Sequence, residues 1–491
     1  MKYFTTYDLA KKVNGKLVGT EKPIKGIFTF LNHSNPGDVV IRHWIDSKGV
    51  EIAHDKDVAC IVTQNPKGNA VKTAEKLGIP IIITPKIENA NAFALEWSIE
   101  EFAKKAIRVV VTGTNGKSTT THMIYQILEN AGHNTYTNTD SKSEFNTLID
   151  PVVSNQISEF KELNGKTIDA MVVEVSEVQG WMDKLMKNHA SLMTSAINPD
   201  VLVLTNISLD HIGLVNSIEE TYEEIYGTLK TFSDHNNEGY VILNSDDPLL
   251  RKMGETITDK PKILYYGTGT ENLIVPEVSL GSEGIYLNNN LFLKTEQLPF
   301  KSKHFIQNTM AAICACLALD IDHDAIKTGI SSYKPLDRRF SVLSTNPLII
   351  DDFAHNPEGI IATIKSTSKM SNGTLYIVFA IRGSRGETIN RLNAEALVEG
   401  IGDRNIILAV TSSTEVVDHL NTVNSSEKDV VLGIFKENNL KYVFKENLTD
   451  ALEYTIHKAA KNDTLLLIGA QGMDPASELL KSIIKDIDAD K

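Results

Sequence analysis

Residues 107–132 read Ile-Arg-Val-Val-Val-Thr-Gly-Thr-Asn-Gly-Lys-Ser-Thr-Thr-Thr-His-Met-Ile-Tyr-Gln-Ile-Leu-Glu-Asn-Ala-Gly. The β-branched run predicts a strand. The stretch from Lys117 predicts a helix that stops at Gly132, a residue suited to a left-handed C-terminal cap. Between them lies a loop of Gly113, Thr114, Asn115 and Gly116. Its glycines let the backbone bend so that N–H groups converge on phosphate oxygens, and the positive end of the following helix adds to that attraction. Lys117 supplies a point charge for the outer phosphates, Ser118 a hydroxyl for Mg2+, and Thr119 continues the hydroxyl run. Strand, loop, lysine, hydroxyls and helix in this order predict polyphosphate chemistry.

The general phosphate-loop pattern calls for a glycine five residues before Gly116, where Val111 stands. The loop is therefore the shorter Gly-Thr-Asn-Gly-Lys-Ser-Thr-Thr form. In that form it resembles the Mur ligase superfamily, which includes the ligases of cell-wall peptide precursors, folylpolyglutamate synthetases and cyanophycin synthetases. The resemblance implies ATP as the nucleotide and Mg2+ as its metal.

Bulk composition narrows the remaining classes. A chain of 491 residues exceeds one ordinary domain. Its 42 % hydrophobic and 23 % charged residues are normal for a soluble globular protein. The formal net charge of −14 argues against a broad basic face, so nucleic acid is not an expected partner. An acidic protein that handles anions must concentrate positive charge locally, and Arg338, Arg339, Arg382 and Arg385 lie close enough in sequence to do so. The three cysteines offer no disulfide framework. Cys314-x-Cys316 sits in an apolar helical run and reads as core. The N-terminus lacks a signal-peptide core and no 18-residue apolar stretch occurs. The expectation is a monomer in a reducing cytoplasm, without membrane insertion.

The element pattern predicts an α/β chain of three domains: a small N-terminal α/β domain over 1–105, a central P-loop domain with a parallel sheet over 106–333, and a C-terminal Rossmann-like α/β domain over 334–491. In the first, Asp8-Leu-Ala-Lys-Lys-Val opens a short helix, and strands are expected at Gly37–Ile41, Ala59–Thr63 and Ile79–Thr84. Alternating strands near Val109–Val111, Met171–Val175, Val201–Thr205 and Tyr240–Leu243 indicate a parallel sheet covered on both faces. A β-rich insert over roughly 263–298 precedes a helical run from His304 to Leu319. Lys334-Pro335-Leu336 reads as a linker. Strands near Leu348–Ile350, Leu375–Phe379, Ile406–Val410 and Leu465–Ile468 repeat the pattern.

Beyond the loop, Glu174 ends the run Ile-Asp-Ala-Met-Val-Val-Glu. A carboxylate ending a buried strand beside a phosphate loop suits Mg2+, which takes one or two carboxylates plus phosphates and water; an ordinary strand-end glutamate is the alternative. Thr205-Asn206-Ile-Ser-Leu-Asp210-His211 resembles the superfamily's Thr-Asn-x-x-x-Asp-His, which implies that His211 holds magnesium, as Glu174 does. Where most of the family has a carbamylated lysine in Tyr-x-x-x-Lys, this chain has Tyr226. Lys230 lies one helical turn on and is the candidate for that role, with a solvated lysine as the alternative.

The resemblance implies further residues. His304-Phe-Ile-Gln-Asn308 resembles the adenine-side segment and carries over Asn308. Leu336-Asp-Arg338-Arg339-Phe340 resembles the linker whose arginine reaches the nucleotide, with Arg339 the better match. Ile350-Asp351-Asp352-Phe-Ala-His355-Asn-Pro357 resembles Asp-Tyr-Ala-His-x-Pro, which gives Asp352 a ribose or hinge role and sets His355 near the reacting groups. Arg382-Gly-Ser-Arg385 corresponds loosely to a Gly-Asp-Arg segment whose arginine could hold a carboxylate. Asn244-Ser-Asp-Asp247-Pro reads as a structural turn. Leu9-Ala-x-x-Val-Asn-Gly15 and Asn35-Pro-Gly-Asp38 resemble the start of the tripeptide- and pentapeptide-forming ligases, whose first domain holds the UDP end of the precursor.

The implied reaction is ATP-dependent ligation of a free amino acid to a UDP-linked peptide precursor through an acyl phosphate. The diaminopimelate-adding enzymes carry Asp-Asn-Pro-Arg, where this chain has Ser412-Ser-Thr-Glu415. They also carry Gly-Lys-Gly-His-Glu, where it has Gly469-Ala-Gln-Gly-Met-Asp474. These departures lean toward the archaeal ligases of pseudomurein peptides. A folate- or tetrapyrrole-directed amino-acid ligase and a non-catalytic nucleotide-binding member are the alternatives. A GTPase would want Asn-Lys-x-Asp, which is not found.

Overall fold

The computed structural model describes residues 4–139, 148–181, 184–210, 214–257, 261–268, 274–300 and 302–489. They fall into two compact units, Met1–Tyr333 and Lys334–Lys491.

The first unit contains a five-stranded and a nine-stranded sheet. The smaller runs in the order Lys16–Val18, Ile81–Ile83, Cys60–Pro66, Val39–Ile45, Phe28–Thr29, parallel except for its first pair. Helices Ser47–Asp55 and Ala70–Leu77 make the crossovers between its parallel strands. Helix Thr6–Lys12 begins at a reciprocal cap: Thr5 Oγ1 accepts from Asp8 N at 3.3 Å while Asp8 Oδ2 accepts from Thr5 N at 3.0 Å.

The larger sheet has the order Asn290–Lys294, Gly284–Leu287, Val278–Leu280, Lys262–Gly267, Tyr240–Asn244, Val201–Leu204, Ile107–Thr112, Ala170–Glu174, Thr135–Thr137. It is parallel from Val278–Leu280 through Thr135–Thr137. Parallel strands need cover on both faces, which is why these segments are unbroken apolar runs. Val109, Val110, Val111 and Val201 to Leu204 are fully buried. Odd-numbered residues of Ile107–Thr112 join a core with helices Lys117–Asn130, Lys303–Ala318 and His323–Ser331. Val110, Leu202 and Leu204 join an opposite core with Ile87–Phe102, Val152–Asn164, His189–Ile197 and Ile218–His235. Cys314 and Cys316 are buried, free thiols whose pKa burial raises, so they are packing residues as expected.

The expected insert over 263–298 is instead the continuation of this sheet. Its first two strands extend it in parallel, and the hairpin Gly284–Leu287/Asn290–Lys294 finishes the edge antiparallel. The turn signals were local, and nothing local to a hairpin specifies which edge it joins.

The second unit holds a six-stranded sheet in the order Ser341–Thr345, Leu348–Asp352, Thr464–Ile468, Leu375–Ala380, Ile406–Thr411, Val443–Lys445. Only its first pair is antiparallel. The loops after Asp352, Ala380, Thr411 and Ile468 therefore leave from the same end, where ligands of open α/β sheets collect. Among the described residues no helix is long and apolar enough to cross a membrane.

Candidate active site

The loop between Ile107–Thr112 and Lys117–Asn130 takes its shape from the neighbouring strand's exit. Gly113 has φ +118, and a Cβ there would collide with Thr205 Oγ1 and the backbone of Thr205 and Asn206. Thr114 N donates to Asn206 O at 2.9 Å, and Asn115 N to Asn206 Oδ1 at 2.9 Å. Asn206 Nδ2 donates back to Asn115 O at 2.8 Å, and Ser208 N to Thr114 Oγ1 at 3.0 Å. Two loops, ninety residues apart in sequence, are thus locked backbone to side chain. Gly116, at φ +83, caps the helix, and a Cβ there would strike the Asn308 amide. The helix then begins at Lys117 with its first N–H groups at the loop, as an anion site requires.

Lys117 Nζ folds back to Thr114 O and to Glu177 Oε2, each at 2.8 Å. The Glu177 side chain is fully enclosed and Lys117 nearly so, at 0 % and 14 % exposure. Burial works against the ammonium, yet Glu177, Glu174 and Asp210 together outweigh it and raise the Lys117 pKa. Ser118 Oγ donates to Glu174 Oε1 at 3.2 Å, and Thr139 Oγ1 to Glu174 Oε2 at 3.2 Å. Asn138 fixes the glutamate's backbone at both ends: its Oδ1 accepts from Glu174 N at 2.8 Å and its Nδ2 donates to Glu174 O at 3.0 Å. Two hydroxyls converging on one carboxylate beside a phosphate loop form an all-oxygen donor set. That fits Mg2+, which keeps waters and phosphate oxygens in its shell and needs no dedicated cage. Among the described residues no group of three His, Cys, Asp or Glu side chains is placed to hold a metal by itself.

The loop residues Gly113 to Thr119, Glu174 and Asn308 therefore come together. His211 lies outside the described residues; Asp210 beside it is buried. Lys230 is exposed on helix Ile218–His235, while Tyr226 is half-buried and stacks on Tyr222 at 5.9 Å between ring centroids. Sequence reasoning missed Glu177, Thr139 and Asn138. The only local signal was polar residues just past strand ends.

In the second unit the two linker arginines separate. Arg338 is buried: Nε donates to Asp351 Oδ1 at 3.3 Å, Nη1 to Ala470 O at 3.2 Å and to Asp474, and Nη2 to Gly469 O. Arg339 is half-buried, its guanidinium 5.0 Å over the Phe353 ring. Asp352 Oδ1 accepts from Ala354 N at 2.9 Å and Thr363 Oγ1 at 3.0 Å. His355 Nδ1 donates to Phe353 O at 2.8 Å. Arg382 is tied through its backbone to the Asn390 side chain, and the exposed Arg385 reaches Ser384 O and Leu420 O. Their loop is pinned by the buried Glu427, whose carboxylate accepts from the backbone N of Ser384, Arg385 and Gly386 at 3.2, 2.9 and 2.7 Å.

Asp351 carries a pH prediction. Burial lifts its pKa to about 6 against the pull of Arg338. An acid whose folded pKa exceeds its unfolded value holds its proton more tightly when folded, so this group favours the fold as pH falls through about 6 toward the ordinary carboxylate range. Asp351→Asn should remove that rise, which denaturant titrations of both proteins over the same pH span would measure.

Comparison with known proteins places the chain in a family. A family model described as the Mur ligase middle domain matches residues 111–316, and one described as the Mur ligase glutamate ligase domain matches residues 338–471. The chain belongs to the Mur ligase family. It is 27 % identical over 379 residues to a UDP-N-acetylmuramate–L-alanine ligase of Syntrophomonas wolfei, covering 75 % of this chain and 73 % of that one. It is 22 % identical over 437 residues to a UDP-N-acetylmuramoyl-L-alanyl-D-glutamate–2,6-diaminopimelate ligase of Geobacillus thermodenitrificans, covering 85 % and 83 %. Among solved structures, MurF from Acinetobacter baumannii shares the fold with a TM-score of 0.69 at 17 % identity, covering 99 % of both chains. A pseudomurein peptide ligase type C from Methanothermus fervidus does so with a TM-score of 0.56 at 19 % identity, covering 91 % and 99 %.

Proposed function

We propose that this chain is an ATP-dependent amide ligase that adds an amino acid to a UDP-linked cell-wall peptide precursor, in the assembly of pseudomurein. The observation that carries the ligase reading is the convergence of Lys117, Ser118 and Glu174 at the carboxyl ends of two adjacent parallel strands. The relatives named as muramate and diaminopimelate ligases support the substrate class. Ser412–Glu415 and Gly469–Asp474, in place of the diaminopimelate enzymes' motifs, support an incoming amino acid other than diaminopimelate and an enzyme outside the standard bacterial type.

In this reading a carboxylate oxygen of the precursor attacks the γ-phosphorus of ATP, and the bond from that phosphorus to the ADP oxygen breaks. The amine nitrogen of the incoming amino acid then attacks the acyl carbon, loses a proton and expels phosphate. Lys117 and the helix N-terminus hold the phosphates, and Gly113 to Gly116 keep the backbone close enough for its N–H groups to reach them. Ser118 and Glu174, with His211 as the resemblance implies, would hold Mg2+, which when bound neutralises charge on the phosphate oxygens. Thr139 keeps the Glu174 carboxylate oriented while Asn138 fixes its backbone. Arg382 and Arg385 are the side chains proposed to hold a substrate carboxylate, and the five-stranded sheet region is proposed to hold the UDP end.

The test is phosphate release by purified protein given ATP, Mg2+, UDP-linked peptides and a panel of amino acids. Release should occur only for matched pairs. Release with folate or a tetrapyrrole instead would replace the acceptor class, and tight ATP binding without release for any pair would favour a non-catalytic member. The exposure of Lys230 supports a solvated lysine over a carbamate. Turnover of Lys230→Ala should therefore match the unaltered chain, with no rescue by bicarbonate or chloride; a rescued loss would return Lys230 to the site.

A further inference from the structure

Glu177 stands three residues past Glu174, in Glu174-Val-Ser-Glu177, and its carboxylate is enclosed against the lysine that the phosphate loop offers. Two of the three donors of Lys117 are committed within the protein, one to Glu177 and one to Thr114 O. The lysine is thus folded across its own loop and not extended toward a ligand. Glu174 and Asp210 also act on this ammonium, so three carboxylates bear on one cation. A triphosphate entering this field meets repulsion from all three, and like charges in a partly buried site are poorly screened. It must also draw Lys117 out of an enclosed ion pair, and parting such a pair is strongly unfavourable.

We propose that Glu177 is an internal surrogate for phosphate: it holds Lys117 by their enclosed ion pair, and a nucleotide gains the lysine only when divalent cation arriving with it offsets the freed carboxylate. Glu177 is a positioning residue in this scheme, acting through Lys117. It couples nucleotide affinity to metal and keeps metal-free nucleotide out. This rests on the reading of residues 113–118 as the nucleotide site and adds to it a device for choosing the metal-bound form.

The experiment is calorimetric titration of ATP and ADP into the full chain, in chelator and in excess Mg2+, for the unaltered protein, Glu177→Gln and Glu177→Asp. Glu177→Ser serves as the uncharged variant should Glu177→Gln not fold. Neutralising Glu177 should tighten metal-free binding by about tenfold or more, the scale of one close charge pair, and shrink the gain from Mg2+ by the same factor. Glu177→Asp, which keeps the charge, should stay within about twofold of the unaltered chain in chelator. A merely structural role would weaken both conditions alike and would not alter their ratio. Metal-free affinity that is unchanged or weaker in the uncharged variant, while the unaltered chain binds nucleotide with Mg2+, overturns the role of Glu177 alone. No nucleotide binding by the unaltered chain in either condition overturns the nucleotide site and this proposal together.

Discussion

Lys117→Met should slow ligation by about two to three orders of magnitude while leaving a protein that is harder to keep folded. The two effects have separate causes. Loss of the ammonium removes the charge that answers the developing negative charge on the transferred phosphoryl group. Deleting one such electrostatic donor slows enzymes by about 10²–10³-fold. Loss of stability arises because Glu177, at 0 % side-chain exposure, loses its ion pair with Lys117, and removing one partner of a buried pair costs about 3–5 kcal/mol. The double variant Lys117→Met/Glu177→Gln separates them. Neutralising both should restore most of the melting temperature and none of the turnover. Thermal denaturation and coupled ADP release on the three proteins decide the matter. A double variant as unstable as Lys117→Met would show that the enclosed pair is not the cause.

Gly113→Ala should be nearly as severe for binding, through the backbone. At φ +118 an L side chain is strained by about 1–3 kcal/mol, and its methyl would also be driven into Thr205 and Asn206. The loop can relieve the clash only by leaving the Asn206 and Ser208 hydrogen bonds that shape it. Nucleotide affinity is expected to fall by at least about 100-fold, comparable to a misplacement of about 1 Å in a site built for close approach. Gly37→Ala is the control. It shares a positive φ, +87, but a Cβ there meets nothing within 4 Å. That variant should lose some stability and keep nucleotide affinity, as calorimetry would report. Equal losses of affinity in both would remove the steric argument.

What the amino-acid order disclosed and what it hid divide along sequence distance. The strand at Val109–Val111, the helix beginning at Lys117 and the bend between them are local, and β-branching, glycine and cap residues announce each. The N-terminal helix with its Thr5–Asp8 cap is local too. Glu174 could be singled out because a carboxylate there closes an apolar run beside the loop, and the structure sets it on the strand paired with Ile107–Thr112. Glu177 was not, since its meaning depends on Lys117, sixty positions earlier. Thr139 follows a three-residue edge strand too short for periodicity to reveal, and it meets Glu174 from thirty-five positions away. Arg338 and Arg339 are distinguished in sequence only by the resemblance, which favours Arg339, and nothing local marks Arg338 as the buried one. Both guanidiniums lie against the Phe353 ring, but Arg338 alone is buried and bonded to Asp351 and to the carbonyls of Gly469 and Ala470, partners more than ten to more than a hundred positions away.

Glu427 carries a lesson for anyone wishing to redirect such a catalyst by grafting. The segment bearing Arg382 and Arg385 draws its shape from an acid on a different helix, forty-odd positions downstream. Transplanting that segment alone from a cousin with another taste in amino acids would leave three amide hydrogens facing an ill-matched tether, or the tether facing none. Exchanges of this kind should move as a two-piece cassette, with the downstream helix start carried alongside.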